Sequence, residues 1–193
     1  PVLLDWGHPG EEERAYGCAD YINSLALDAL RALREAHDGP IIVAGYCMGG
    51  VFALAMAQLA PMAVDGLLLL ATPWDFSTED SPAVSLPSPS TMLLRQFLLG
   101  MDPVPSAMIN MIFHLIDPWA VQQRYAKFPH LTEAQQSHFL AIEHWLNDGV
   151  PLAQRVALET FVDWPQDNAL HAGRFKIGRH WLAPEMVKCP SLV

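Results

Sequence analysis

Positive charge is scarce in this chain: 11 lysines and arginines stand against 21 aspartates and glutamates in 193 residues, a net charge of −10 at pH 7. That field repels a polyanion, so nucleic acid is not an expected partner. Cysteine is scarcer still. Cys18, Cys47 and Cys189 leave one thiol over in any disulfide scheme and lack metal-ligand spacing, so no metal is expected and a reducing cytoplasm is the expected setting. Long apolar runs are missing as well. The longest, 51–72, is broken by Gln58, Pro61, Asp65 and Gly66, whereas a membrane span needs roughly 20 mostly apolar residues. There is no internal repeat, no G-x-x-x-x-G-K-S/T loop for phosphates, and no basic segment with a cleavage site at the amino end. The chain opens on Pro1 inside what reads as a buried strand, so it is expected to be a fragment lacking both ends.

What is present is an alternation of strand and helix. "VLLDW" is a continuous apolar run suited to a buried parallel strand, and three acids open "EEERAYGCADYINSLALDALRALREA", which carries Tyr21, Leu25, Leu30 and Leu33 at helical spacing. "PIIVAGY", "MGGVFALAMAQLA" and "VDGLLLLAT" continue the pattern as strand, helix and strand. A β-α-β-α-β order predicts an α/β fold with a parallel sheet, in which 41–46 is a central strand and 48–59 the helix behind it. After Thr72 the texture changes. Residues 73–90, rich in proline and serine, read as a loop, and "TMLLRQFLLG", "PSAMINMIFHLI", "PWAVQQRYAKF", "TEAQQSHFLAIEHWLNDG" and "PLAQRVALETFVDW" read as helices opened by Pro, Ser or Thr. The expected organisation is a core over 1–72, a helical cap inserted over 73–188, and the start of a returning core strand at 189–193.

The chemistry concentrates in "GYCMGG", 45–50. A sharp turn from strand to helix strains its apex residue and needs small residues two before and two after it, a role given to Gly45 and Gly49. Such an elbow presents Cys47 as a nucleophile at a helix N-terminus, with the Met48 backbone amide aimed where an oxyanion would form. Cys18 and Cys189 have no such context and are assigned to packing.

The ordered set "LLDWG", "GYCMGG", "LLLLATPWDF", "WLNDGVPLA", "DNAL" and "KCPSLV" resembles the catalytic domain of polyhydroxyalkanoate synthases, within the α/β-hydrolase superfamily. The resemblance covers nearly all of the chain and is densest over 1–76 and 143–193. It implies an acyltransferase that polymerises (R)-3-hydroxyacyl-coenzyme A through a Cys47 thioester, in the cytoplasm at polyester granules, with a homodimer left open. No bound cofactor is implied. Acyl transfer between two thiols is close to isoenergetic and leaves the acyl group activated toward the next hydroxyl. Two other classes stay open. One is a cysteine hydrolase of dienelactone hydrolase or thioesterase type, against which the long insertion 73–188 counts. The other is a non-catalytic granule protein docking through Leu93, Leu94, Phe97, Leu98 and Leu99.

Eight histidines are available as a base: His8, His37, His114, His130, His138, His144, His171 and His180. None follows a late core strand, where this superfamily keeps its histidine, and Asp163, Asp167 and His171 are neighbours in sequence only. The resemblance places the acid and the histidine beyond Val193, so the chain as given is expected not to turn over. Coenzyme A contacts are unassigned; Arg95, Arg124, Arg155, Arg174 and Arg179 are among the cations available.

Overall fold

The computed structural model describes residues 1–77, 88–116 and 118–193. Strands β1 (Ile42–Tyr46) and β2 (Gly66–Leu70) pair in parallel with Ile42 opposite Gly66, and a hairpin of β3 (Lys176–Ile177) and β4 (His180–Trp181) stands apart. The last strand, β5 (Ser191–Leu192), lies parallel to β2 with Leu67 opposite Ser191, so "KCPSLV" does resume the sheet. The order is β1-β2-β5. Strand β2 is therefore the central one among the described residues, and β1 is an edge rather than the central strand its sequence suggested.

The difference traces to residues 2–6, which form no strand. A continuous apolar run specifies burial, not a ladder partner. Trp6 does pack, edge-on against Tyr21 and Phe52 with ring centroids 5.8 and 5.6 Å apart, whereas Leu3 stays 91% exposed. Between this segment and the free edge of β1 lies a cavity of about 350 Å³ lined by Val2, Leu4, Leu30, Ile42 and Phe52.

The helix behind the sheet, Met48–Leu59, carries one polar side chain, Gln58, and buries Val51, Phe52, Ala53, Leu54, Ala55 and Ala57, as a nearly all-apolar helix must. The crossover helix begins later than its acids suggest. Glu13–Ala15 make a single 3-10 turn, and the helical run spans 18–36 with a π turn at Ile22–Ala26. Gly17, extended at φ −96°, separates the two, and its amide donates to Asp20 Oδ2 at 2.9 Å.

Beyond β2 the expected helices form at Ser88–Leu99, Ser106–Ile116, Pro118–Lys127 and Glu133–Asn147, followed by a helical run over 154–167. Thr132 opens the fourth with a reciprocal cap, its amide donating to Gln135 Oε1 at 2.9 Å. Most of the loop expected at 73–90 lies outside the described residues, and its end, from Ser88, is already helical. Of the leucine and phenylalanine stripe, Leu98 is fully buried and Leu94 packs inward, while Leu93, Phe97 and Leu99 face outward.

The insertion does not pack as one separate layer. Val156, Trp164, Leu170, Phe175, Ile177 and Leu182 belong to the same buried cluster as the elbow helix, and Ala157 and Val162 join Leu98, Val104 and Ile112 in a second cluster. Residues 153–182 thus serve both sides. Replacing Trp164, 2% exposed, by alanine is expected to cost about 3–5 kcal/mol of stability. The same change at exposed Leu93 should stay within about 0.5 kcal/mol, and urea melts of the two variants make the comparison.

Candidate active site

The turn between β1 and the helix Met48–Leu59 has a strained apex. Cys47 sits at φ 52°, ψ −124°, a region that costs a non-glycine residue about 1–3 kcal/mol and persists only when its surroundings over-determine it. They do so from both sides. The Cys47 amide donates to Leu70 O of β2 at 2.9 Å, and Cys47 O accepts from the Gly50 amide at 2.9 Å. The bend brings backbone onto backbone: a Cβ on Gly45 would lie 2.3 Å from Gly49 O and 2.6 Å from Gly50 Cα.

The second steric requirement falls one residue later than expected. A Cβ on Gly49 meets nothing within 4 Å, whereas one on Gly50 would lie 1.8 Å from Thr72 Oγ1. Gly45 and Gly50, not Gly49, are the glycines whose side-chain space is taken. The sequence offered both, and only the position of the loop after β2 separates them.

Cys47 is half-buried, and among the described residues no side chain hydrogen-bonds its Sγ. The Met48 amide is the first of its helix, has no intrahelical acceptor and no other acceptor among the described residues, and lies on the positive end of the helix dipole beside the thiol. The Met48 side chain packs partly into the core, and its Sδ accepts from Thr160 Oγ1 at 3.2 Å.

A second wall comes from the loop after β2. Ala71 takes φ 47°, and Thr72 follows with its Oγ1 buried and without a hydrogen-bond partner among the described residues. Trp74 and Phe76 then pack on the core, and Asp75 between them accepts from the Ser77 amide (2.9 Å), Ser77 Oγ (2.7 Å) and Asn168 Nδ2 (2.9 Å). These donors, chiefly the Ser77 pair, hold the Asp75 carboxyl down at about 2, with His171 Nδ1 3.6 Å away adding to the effect. Asn168, left-handed at φ 47°, also accepts the Phe76 amide at 3.0 Å. The apparent set of Asp163, Asp167 and His171 is therefore dispersed: Asp163 pairs with Arg95, Asp167 O accepts from Arg174, and His171 faces Asp75. Sequence reasoning passed over Asp75 and Asn168, although "PWDF" and "DNAL" were both in view.

All eight histidines are exposed, and among the described residues none is hydrogen-bonded or ion-paired to Cys47. The five arginines are each engaged within the chain. Besides the two above, Arg124 pairs with Glu143 at 3.2 Å, Arg155 with Glu159 at 3.1 Å, and Arg179 Nε donates to His180 Nε2 at 3.3 Å. Cys18 is fully buried in the core and Cys189 half-buried against it.

Two outcomes follow from this geometry. Gly49→Ala should leave thermal stability unchanged or raise it by up to about 1 kcal/mol, as an interior helix glycine gains from a Cβ, while Gly50→Ala should lower the melting temperature. Asp75 has a depressed pKa, so its ionised form stabilises the fold fully above the ordinary 3.8 and ceases to do so as pH falls to about 2. Urea midpoints of the wild type and Asp75→Asn should accordingly differ above 3.8 and converge toward about 2.

Relatives match along almost the whole chain. It is 28% identical over 194 residues to the poly(3-hydroxyalkanoate) polymerase subunit PhaC of Allochromatium vinosum, covering 98% of this chain and 54% of that protein. The subunit of the same name from Thiocystis violacea is 27% identical with the same coverage, and that of Synechocystis is 27% identical over 91% of this chain and 49% of that protein. The chain spans about half the length of these curated relatives. They bear out the resemblance seen in the motifs. The model of the alpha/beta hydrolase family matches residues 1–190, and with the parallel sheet and the strained elbow it places the chain in that family.

Proposed function

We propose that this chain carries the nucleophile of a polyester synthase, an acyltransferase that polymerises (R)-3-hydroxyacyl-coenzyme A. The observation that carries the proposal is Cys47 at φ 52° on the strand-to-helix elbow, in a chain whose relatives are named poly(3-hydroxyalkanoate) polymerase subunits. The strain presents Sγ at the carboxyl ends of the strands, where ligands of open α/β sheets bind.

In the first step Cys47 Sγ attacks the thioester carbonyl of the substrate. A bond from carbonyl carbon to Sγ forms, the bond from that carbon to the coenzyme A sulfur breaks, and the thiol proton leaves on coenzyme A. The negative charge on the carbonyl oxygen in between is met by the free Met48 amide, whose hydrogen bond strengthens as that charge develops. In the second step the hydroxyl of another 3-hydroxyacyl unit attacks the enzyme thioester. An ester bond forms, the carbon–Sγ bond breaks, and the hydroxyl proton returns to Sγ. Sulfur suits both steps because a thioester stores the acyl group in activated form. The growing ester must be kept from water, and the helices over 88–147 are the elements available to cover the site. We place the reaction in the cytoplasm at the polymer surface; no helix among the described residues is long and apolar enough to cross a membrane.

The whole natural protein, incubated with (R)-3-hydroxybutyryl-coenzyme A, is expected to release free coenzyme A together with insoluble polyester. Release with monomeric acid would instead identify a thioesterase, and no release a binding protein. Cys47→Ala should lose both products, and a variant that keeps full synthesis would remove Cys47 from the nucleophile's role.

A further inference from the structure

One polar chain reaches the elbow from the opposite side of the core. Thr160 lies in the π turn Glu159–Asp163 of the 154–167 helix, and such turns recur at functional sites. Its hydroxyl donates to Met48 Sδ at 3.2 Å and stands 3.8 Å from Cys18 Sγ. A hydroxyl has one hydrogen, so the Cys18 thiol is the donor in the second contact. Burial and the Glu159 carboxylate both push the Cys18 thiol up, which keeps that proton in place. The order is Cys18 S–H to Thr160 O–H to Met48 Sδ.

The far end of the chain is fixed. Cys18 is 0% exposed, its amide donates to Glu159 Oε2 at 2.8 Å, and Arg155 Nε donates to Glu159 Oε1 at 3.1 Å. Gly17 permits this docking, because a Cβ there would lie 2.4 Å from Glu159 Oε1. The near end is the residue that needs holding. Methionine has three rotatable side-chain bonds and adapts to its surroundings, so packing alone specifies its conformation weakly.

We propose that Thr160 is a positioning residue for acyl transfer: by holding Met48 through its thioether, it keeps the Met48 amide aimed at the oxygen on which charge develops. The inference rests on Cys47 being the acyl-transfer nucleophile. Thr160 is hydrogen-bonded to Cys18 and Met48 and not to the Cys47 thiol.

Two reactions of the same sulfur separate the amide from the rest of the fold. Acylation by (R)-3-hydroxybutyryl-coenzyme A builds an oxyanion; alkylation by iodoacetamide, a displacement at a saturated carbon, does not. In the whole protein, Thr160→Val is expected to slow single-turnover acylation roughly tenfold or more, short of the 10²–10³ that follows loss of an oxyanion donor. Iodoacetamide alkylation of Cys47 should stay at the wild-type rate. Thr160→Ser should restore acylation, and Met48→Leu, which keeps the amide but removes the sulfur acceptor, should slow it as Thr160→Val does. The double variant should be no slower than either single one. Acylation by Thr160→Val at the wild-type rate overturns the inference, as does a parallel fall in acylation and alkylation. If Thr160→Val does not fold, wild-type acylation by Met48→Leu overturns it. Failure of the wild-type protein to acylate at Cys47 overturns the functional reading instead, and this inference with it.

Discussion

The left-handed backbone at Cys47 is the constraint around which the described structure is arranged. Holding a β-carbon-bearing residue at φ 52° requires partners that do not yield, and the hydrogen bond from its amide to Leu70 O supplies one from the central strand. That bond exists only because β1 and β2 are in register, Tyr46 opposite Leu70. Register in turn depends on burial of Leu67 and Leu69 on one face of β2, since a one-residue slip would turn that face away from the core. The elbow is therefore a consequence of core packing several residues away, and the glycines at 45 and 50 are what allow the helix and the loop after β2 to close on it.

Segment 154–171 has a double relation to that constraint. Its apolar residues Val156 and Trp164 fill the main core while Ala157 and Val162 hold the helices of the insertion. Its polar residues reach the elbow on two sides: Thr160 bonds Met48 Sδ, and Asn168 bonds both the Phe76 amide and Asp75. Thr72, in that same loop after β2, is the residue pressed against Gly50. The Thr160 tie is not strong alone, since a neutral hydrogen bond contributes about 0.5–1.5 kcal/mol net. The value of both ties lies in direction, because each removes a freedom that the apolar core leaves open.

Much of this was legible in the residues. Apolar runs placed β1 and β2, helical spacing and Pro, Ser or Thr openings placed helices, and the glycine spacing around Cys47 located the bend, because each is a local rule acting on neighbours. What was not legible depends on pairing at a distance. The run "VLLDW" has the composition of a strand, but strand status is conferred by a ladder partner, and residues 2–6 have none. Gly49 and Gly50 are indistinguishable until the position of Thr72 is known. The hairpin Lys176–Trp181 is two residues per strand, too short for an alternation to show. Asp163, Asp167 and His171 are neighbours in sequence only, and nothing in that spacing points to Asp75, which the loop after β2 brings to face His171.

These cases share a cause that bears on how the site is read. Steric rules around a strained residue are short-ranged and survive in sequence as glycine positions; electrostatic and hydrogen-bond partners are assembled from remote segments and leave no fixed spacing. A strained elbow residue is thus recoverable from one strand-turn-helix, while the groups that hold it are not. Thr160 and Asn168 lie more than a hundred and more than ninety residues from the atoms they bond, with separations of 112, 92 and 93. Substitutions over 154–171 that leave the core filled can therefore reach the surroundings of Cys47 through Met48 or through the loop of Thr72 and Asp75. Those two routes are physically separate, since one ends on the residue beside Cys47 and the other on the loop packed against Gly50 of its helix.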